Sequence, residues 1–193
     1  IENCRAHGFH KFAISLNYKA EMIRNHCGDG SQWGVEINYI HEKKRLGTAG
    51  ALGLLNQKLE LPILVMNADV LTKVNFQHLV DFHSNHDAVA TMCVREYDFQ
   101  VPYGVVRIDK HRLLGIDEKP VHRFFVSAGI YVLNPGVLSL VPKDIYCDMP
   151  SLFEKLLENK METTVFPIRE YWLDIGKLDD FERANGEYNE VFL

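Results

Sequence analysis

Hydrophobic positions along the chain fall into short unbroken runs and into stretches of helical spacing. Phe12-Ala13-Ile14-Ser15-Leu16 is an apolar run ending in Asn17, as a buried strand would, and Lys19–His26 behind it reads as a helix. After the turn Gly28-Asp29-Gly30-Ser31, Val35–Ile40 alternates as a second strand. A polar loop, Glu42–Arg45, leads to Gly47-Thr48-Ala49-Gly50, which opens a helix of small residues through Leu55. Ile63–Met66 is wholly apolar and predicts a strand buried on both faces. A helix follows over Phe76–Asn85, with Phe76, Leu79, Val80 and Phe82 on one side. Strands then dominate: Ala88–Arg95, Gly104–Ile108, Leu113–Ile116 and Val126–Leu133. The turn Asn134-Pro135-Gly136 and a short helix, a helix over Ser151–Asn159 capped by Ser151, a strand at Glu162–Phe166 and a last helix from Leu178 to Tyr188 complete the pattern.

Alternating strands and helices in the first half predict an α/β sheet with parallel strands and right-handed crossovers. In such sheets ligands sit beyond the carboxyl ends of the strands. No repeat, low-complexity segment or linker divides residues 1–193, which predicts a single domain. Ile1-Glu2-Asn3 runs straight into what reads as the last turns of a helix ending at Gly8, so the chain is expected to begin inside that domain.

Composition removes several classes of function. With 193 residues and 47% hydrophobic content the chain can bury a core. A net charge of −5, with basic residues scattered apart from Lys43-Lys44-Arg45, excludes the electrostatic footprint of a nucleic-acid polymer binder. No apolar stretch approaches the roughly 20 residues that cross a bilayer, which excludes a membrane span. Cys4, Cys27, Cys93 and Cys147 lie far apart without a CxxC pair and are expected as reduced thiols in a cytoplasm. The histidines form neither HExxH nor a ligand pair with cysteine, which disfavours zinc, and no GxSxG elbow is present. Trp33, Tyr39 and Phe124-Phe125 are expected in a core or an interface.

Candidate chemistry lies at the strand ends. Asp69 follows Ile63–Met66 and Asn67; alone, these polar residues read as a turn or a helix cap. Asp174 also follows an apolar pair, Trp172-Leu173, and precedes a glycine turn and a helix. Two carboxylates on separate loops at one end of a sheet can share Mg²⁺, a hard cation that leaves its other positions to phosphate oxygens and water. Glu118 and Lys119, at a strand end before Pro120, are either solvated charges or a clamp on a phosphate. Leu46–Leu52 offers free backbone N–H groups without bulky side chains, suited to the close approach of a base or phosphate. Gly104 and Gly129, each at a strand edge, mark either a bulge and tight packing or a surface for a ligand.

Taken in order, "EKKRLGTAGAL", "ILVMNADVL", "VPYGVVRID", "IDEKP", "VSAGIYVLNP" and "YWLDIGKLDDFERAN" resemble the sugar-1-phosphate nucleotidyltransferases, in particular the mannose-1-phosphate guanylyltransferase-like branch, some of whose forms carry regulatory CBS domains upstream. The resemblance implies a Rossmann-like nucleotidyltransferase fold, a mixed, mostly parallel central sheet flanked by helices. It implies a cytoplasmic enzyme of polysaccharide biosynthesis that makes an NDP-sugar and pyrophosphate from a nucleoside triphosphate and a sugar 1-phosphate, with Mg²⁺ as cofactor. GTP with mannose 1-phosphate or a related hexose or hexosamine 1-phosphate is the expected pair; thymidine and cytidine nucleotides are alternatives. By motif position, Asp69 and Asp174 correspond to metal ligands, Lys119 to the residue holding the sugar phosphate and Glu118 to a sugar-hydroxyl acceptor. Gly47, Thr48 and Asn67 fall in nucleotide and substrate positions, and Gly104, Ser127, Ala128 and Gly129 lie along the sugar.

Two departures from the family pattern stand out. Ala68 replaces a glycine between Asn67 and Asp69. The glycine-rich strand-to-loop signature that grips the triphosphate is not in the chain, and its strand would be central to the sheet. Residues 1–193 alone are therefore expected to turn over little or no substrate, and the open sheet edges are expected to invite a homo-oligomer. A non-catalytic sugar-nucleotide sensor is the alternative; Asp69, Lys119 and Asp174 together weigh against it, since pure binding does not call for both carboxylates.

Overall fold

The computed structural model describes residues 1–55 and 59–192. Its center is β8 (Val121–Leu133), which pairs on one side with β3 (Ile63–Met66) and on the other with β5 (Ala90–Gln100); β9 (Thr163–Pro167) completes the order β3-β8-β5-β9. Residues Ala128–Leu133 of β8 are all buried. Their alternation sends Ile130 and Val132 to one face and Tyr131 and Leu133 to the other. On the first face they meet Phe76 and Leu79 of α4 (Phe76–Asn85). On the second they meet Met149, Leu152, Phe153 and Leu156 of α5 (Met149–Glu158), an i, i+3, i+4, i+7 stripe. The result is a sheet covered by a helix on each side, an α/β layer arrangement.

The sheet is mixed. β5–β9 and the separate pair β1–β2 (Lys11–Leu16 with Glu36–His41) are parallel, while β3–β8, β5–β8, β4–β10 (Val70–Thr72 with Trp172–Asp174) and β6–β7 (Val105–Asp109 with Arg112–Asp117) are antiparallel. In the four-stranded sheet β3, β5 and β9 therefore run the same way and β8 runs against them, as expected of a mixed, mostly parallel central sheet. The cause of the reversal is the excursion between β5 and β8. β5 runs out to Gln100, β6 and β7 form a hairpin at its tip, and β8 returns beside β5. A chain that turns back on itself in this way can only pair antiparallel.

Several expectations shift for local reasons. β3 is half-buried along its length rather than buried on both faces, because only its β8 edge is paired. β5 and β8 outrun their apolar cores as a two-stranded ribbon on which Phe124 and Phe125 are exposed; Arg123 on β8 pairs there with Glu96 and Asp98. Trp33 and Tyr39 pack, half-buried, around Cys27, Val35 and Ile37 beside β2. The helix expected to start at Ser151 starts at Met149, with Asp148 at the N-cap position and Pro150 in the first turn, where its missing N–H costs nothing. The last helix, α6, runs from Leu178 to Phe192, beyond Tyr188. The cysteines are unpaired, and burial pushes the Cys93 thiol up to about 12. Among the described residues no helix is long and apolar enough to cross a membrane.

The docking of α4 rests on Phe76, 1% exposed, with the rings of His7 and Phe9 edge-on to it at 5.7 and 6.3 Å. Phe76→Ala is expected to cost about 3–5 kcal/mol of unfolding free energy, measured by urea denaturation. An unchanged midpoint would show that this contact does not hold α4 to the sheet.

Candidate active site

The turn at residues 67–69 is built by its neighbours. β3 ends at Met66, and the Asn67 N–H donates to the Gly129 carbonyl at 2.8 Å. Gly129 has φ +69°, and a Cβ on it would lie 3.0 Å from Asn67 Nδ2, so both backbone and space require glycine there. The chain then turns through Ala68 and Asp69 into β4. Asn67 and Asp69 cap no helix: the cap of α4 is Asn75, whose Oδ1 accepts from the His78 N–H at 3.0 Å.

Register brings the second carboxylate to this turn. In the β4–β10 pair Asp174 stands opposite Val70, and the Ile175 N–H donates to the Asp69 carbonyl at 2.8 Å. β10 is held by Thr72 Oγ1, which donates to the Tyr171 carbonyl at 2.9 Å, and by the Trp172 indole N–H, which donates to the Ala128 carbonyl at 2.8 Å. Asp69 Oδ2 and Asp174 Oδ1 lie 3.6 and 3.0 Å from a single point, the place a Cβ would take on Gly176. Both carboxylates are exposed to solvent. Two acceptor-only groups around one open gap suit a hard divalent cation, which takes one or two protein carboxylates and leaves the rest of its shell to water and phosphate. No larger group of His, Cys, Asp or Glu able to hold a metal occurs among the described residues.

Two further groups stand on other elements. On the ribbon, a Cβ on Gly104 would lie 2.9 Å from Glu118 Oε2, so the missing side chain makes room for that carboxylate. Lys119 follows with φ 46°, a strained backbone for a lysine, and its carbonyl accepts from Gln100 Nε2 at 3.3 Å. Its ammonium is exposed and makes no ion pair among the described residues. Ser127 shares a hydrogen bond of 2.9 Å with the Tyr131 hydroxyl, beside Ala128 and Gly129.

The third group is the loop at Gly47 and Thr48, where the structure corrects the sequence. Its N–H groups are largely taken. Leu46 N–H donates to Glu42 Oε2 at 3.0 Å, Thr48 N–H to Asp148 Oδ1 at 3.0 Å, and both Ala49 and Gly50 N–H to the Cys147 carbonyl at 2.9 Å. The Gly47 N–H alone has no partner among the described residues, so the loop presents one backbone donor and not a cradle. Gly47 has φ +81°, and a Cβ on it would meet Asp148 Oδ1 at 2.6 Å. The Thr48 hydroxyl accepts the Met149 N–H at 2.9 Å, the local reason α5 starts before Ser151.

The structure therefore gathers Asn67, Asp69, Ala128, Gly129 and Asp174 into one corner, sets Gly104 beside Glu118 and Lys119 on the ribbon, and sets Gly47 and Thr48 against Asp148. No hydrogen bond or ion pair links the three groups among the described residues. Sequence reasoning missed Glu42, Asp148, Trp172 and Gly176. Only Gly176 carried a readable signal, as a glycine two residues past a strand-end aspartate; the others act through partners distant in sequence.

A family model described as nucleotidyl transferase matches residues 1–191. The chain belongs to this family. This nucleotidyl transferase is 34% identical over 190 residues to the mannose-1-phosphate guanyltransferase of Debaryomyces hansenii, covering 94% of this chain and 52% of that protein. It is 32% identical over 183 residues to the mannose-1-phosphate guanylyltransferase catalytic subunit beta of Drosophila pseudoobscura pseudoobscura, covering 90% and 48%. The chain thus spans about half the length of the curated relatives it matches. Among solved structures, a putative glucose-1-phosphate thymidylyltransferase from Bacillus anthracis in complex with a sucrose superposes with TM-score 0.74 at 20% identity, covering 100% of this chain and 81% of that one. HddC from Yersinia pseudotuberculosis superposes with TM-score 0.73 at 22% identity, covering 97% and 82%. The fold is that of the nucleotide-diphospho-sugar transferases.

Hydrogen bonds from the Tyr146 hydroxyl and from Thr48 hold the Asp148 carboxyl below its ordinary range. Its contribution to loop order is therefore present above the ordinary carboxylate pKa and is lost as pH falls through the lowered value. Asp148→Ala is expected to speed amide hydrogen exchange at Thr48 by about tenfold or more while Ala49 and Gly50, bonded to Cys147, change less. Equal rates at Thr48 in the two proteins would remove Asp148 from this role.

Proposed function

We propose that this nucleotidyl transferase forms an NDP-sugar and pyrophosphate from a nucleoside triphosphate and a sugar 1-phosphate, with GTP and mannose 1-phosphate the pair favored by the names of its relatives. The observation that carries the reading is the β4–β10 register, which puts Asp174 beside Asp69 at the end of β3. In this reaction an oxygen of the sugar phosphate attacks the α-phosphorus, the bond from that phosphorus to the bridging oxygen breaks, and pyrophosphate leaves with the electron pair. No covalent nucleophile is needed, so catalysis is positioning and charge neutralisation.

The residues divide that work. Asp69 and Asp174 would hold Mg²⁺, which when bound supplies positive charge to the phosphate oxygens. Lys119 would hold the sugar phosphate as a point charge, with no ion-pair partner among the described residues. Glu118 would accept a hydrogen bond from a sugar hydroxyl, with the absence of a side chain on Gly104 leaving its carboxylate room. The Gly47 N–H, the one donor from Leu46 to Gly50 without a partner among the described residues, would take a single acceptor on the base, with Thr48 fixing the loop to Asp148. Asn67, Ser127, Ala128 and Gly129 would form the floor beneath the sugar.

Residues 1–193 as one catalytic domain, completed by an upstream strand and glycine-rich loop, belong to the same proposal. The outer edges of β1 and β3, unpaired among the described residues, support it. Low turnover by these residues alone is a consequence of the same proposal. A cytoplasmic setting fits the free thiols. A homo-oligomer is what the open sheet edges would invite, and CBS domains upstream are what the resemblance implies.

In the full-length protein, Asp174→Asn is expected to lower kcat about 100-fold or more in a pyrophosphate-release assay. Lys119→Met is expected to raise KM for the sugar phosphate about tenfold while sparing KM for the nucleotide. Wild-type kcat in the first variant would sink the metal assignment, and an unchanged sugar-phosphate KM in the second would sink the clamp.

A further inference from the structure

We propose that Gly176 is a positioning residue that keeps the gap between Asp69 and Asp174 open for a divalent cation; the inference rests on the Mg²⁺ reading above. Gly176 follows β10 by two residues and carries no side chain at the point where the two carboxylates converge. A Cβ there would lie 3.0 Å from Asp174 Oδ1 and 3.6 Å from Asp69 Oδ2, and apart from its chain neighbours no other heavy atom of the described residues comes within 4 Å. The space a side chain would fill is thus bounded by two carboxylate oxygens alone.

Conformation does not explain the glycine. Gly47 and Gly129, elsewhere in the candidate site, have positive φ, but Gly176 lies outside the left-handed region and its backbone would accept an alanine. What an alanine would change is the gap. Its methyl would stand in ordinary contact with Asp69 Oδ2 at 3.6 Å and press on Asp174 Oδ1 at 3.0 Å, closer than most real Cβ contacts, where Mg²⁺ needs oxygens at about 2.1 Å and several waters around it. The Gly176 N–H meanwhile donates to Asp174 Oδ1 at 2.8 Å and sets the direction of that carboxylate. Backbone therefore aims one ligand, and the missing side chain leaves room beside it.

The test uses the full-length protein, with Mn²⁺ as the probe, its free concentration read by electron paramagnetic resonance with and without GTP, and with thermal melting of the cation-free protein. Gly176→Ala is compared with wild type, with Asp174→Asn and with Gly186→Ala, a glycine on α6 whose Cβ would meet nothing within 4 Å. The expected result is a loss of Mn²⁺ affinity of at least about tenfold in Gly176→Ala, close to that of Asp174→Asn, with wild-type affinity in Gly186→Ala and an unchanged melting temperature in Gly176→Ala. Wild-type Mn²⁺ affinity in Gly176→Ala, alongside a loss in Asp174→Asn, overturns the role of Gly176 and leaves the two-carboxylate site standing. A fall in melting temperature that accompanies the lost affinity assigns Gly176 to folding and overturns the proposal as well. Absence of Mn²⁺ binding by wild type under both conditions overturns the metal reading and this inference together.

Discussion

Burial of β8 on both faces is the constraint from which the rest of the molecule follows. Ala128–Leu133 carry apolar or small side chains on every position, so the strand is stable only with a helix against each face and a strand along each edge. Fully burying each of Ile130, Val132 and Leu133 contributes roughly 1.5–3 kcal/mol relative to exposure. α4 and α5 meet that demand with Phe76 and Leu79 on one side and Met149, Leu152 and Leu156 on the other. The point along this strand where burial gives way, at Ser127, is also where the candidate site begins.

That juxtaposition is mechanical. Gly129 breaks the regular run of β8 with a left-handed backbone, and its carbonyl takes the Asn67 N–H, so the turn after β3 is set against the buried half of β8. The carbonyl of Ala128, one residue earlier, takes the Trp172 indole and anchors β10. Asp69 and Asp174 are thus placed by two consecutive residues of one strand, although 105 positions separate them in the chain (Asp69 to Asp174). Such support is what the proposed cation site would require, since Mg²⁺ coordination tolerates little displacement of its ligands. The β5–β8 ribbon lacks that support. Its exposed aromatic residues and surface ion pairs place Glu118 and Lys119 on an element with no second layer behind it.

Local pattern was a good guide wherever one segment's chemistry sufficed. The apolar runs at 12–16, 63–66 and 126–133 are strands because their side chains demand burial, and the spacing of Phe76 and Leu79 is that of a helix lying on a sheet. Strands β4 and β10 were not legible as such, being three residues each and stable only by pairing with one another. The reversed direction of β8 was equally hidden, since strand direction depends on where the chain returns and not on which residues are apolar. Even the small-residue loop misled: Thr48, Ala49 and Gly50 look free to bind a ligand until Asp148 and Cys147, a hundred residues away in sequence, take their N–H groups.

What the sequence by itself determined were the elements, the ordered motifs, and the identity of Asp69, Lys119 and Asp174 as residues at strand ends. These depend on hydrophobic period and side-chain chemistry, which are properties of neighbours along the chain. Only the tertiary structure decided that Asp69 and Asp174 share one gap, that Gly176 borders it without a side chain, and that most N–H groups from Leu46 to Gly50 are taken. Those facts are set by hydrogen bonds and register between distant segments, and no local pattern encodes the distance between two strands that have yet to meet.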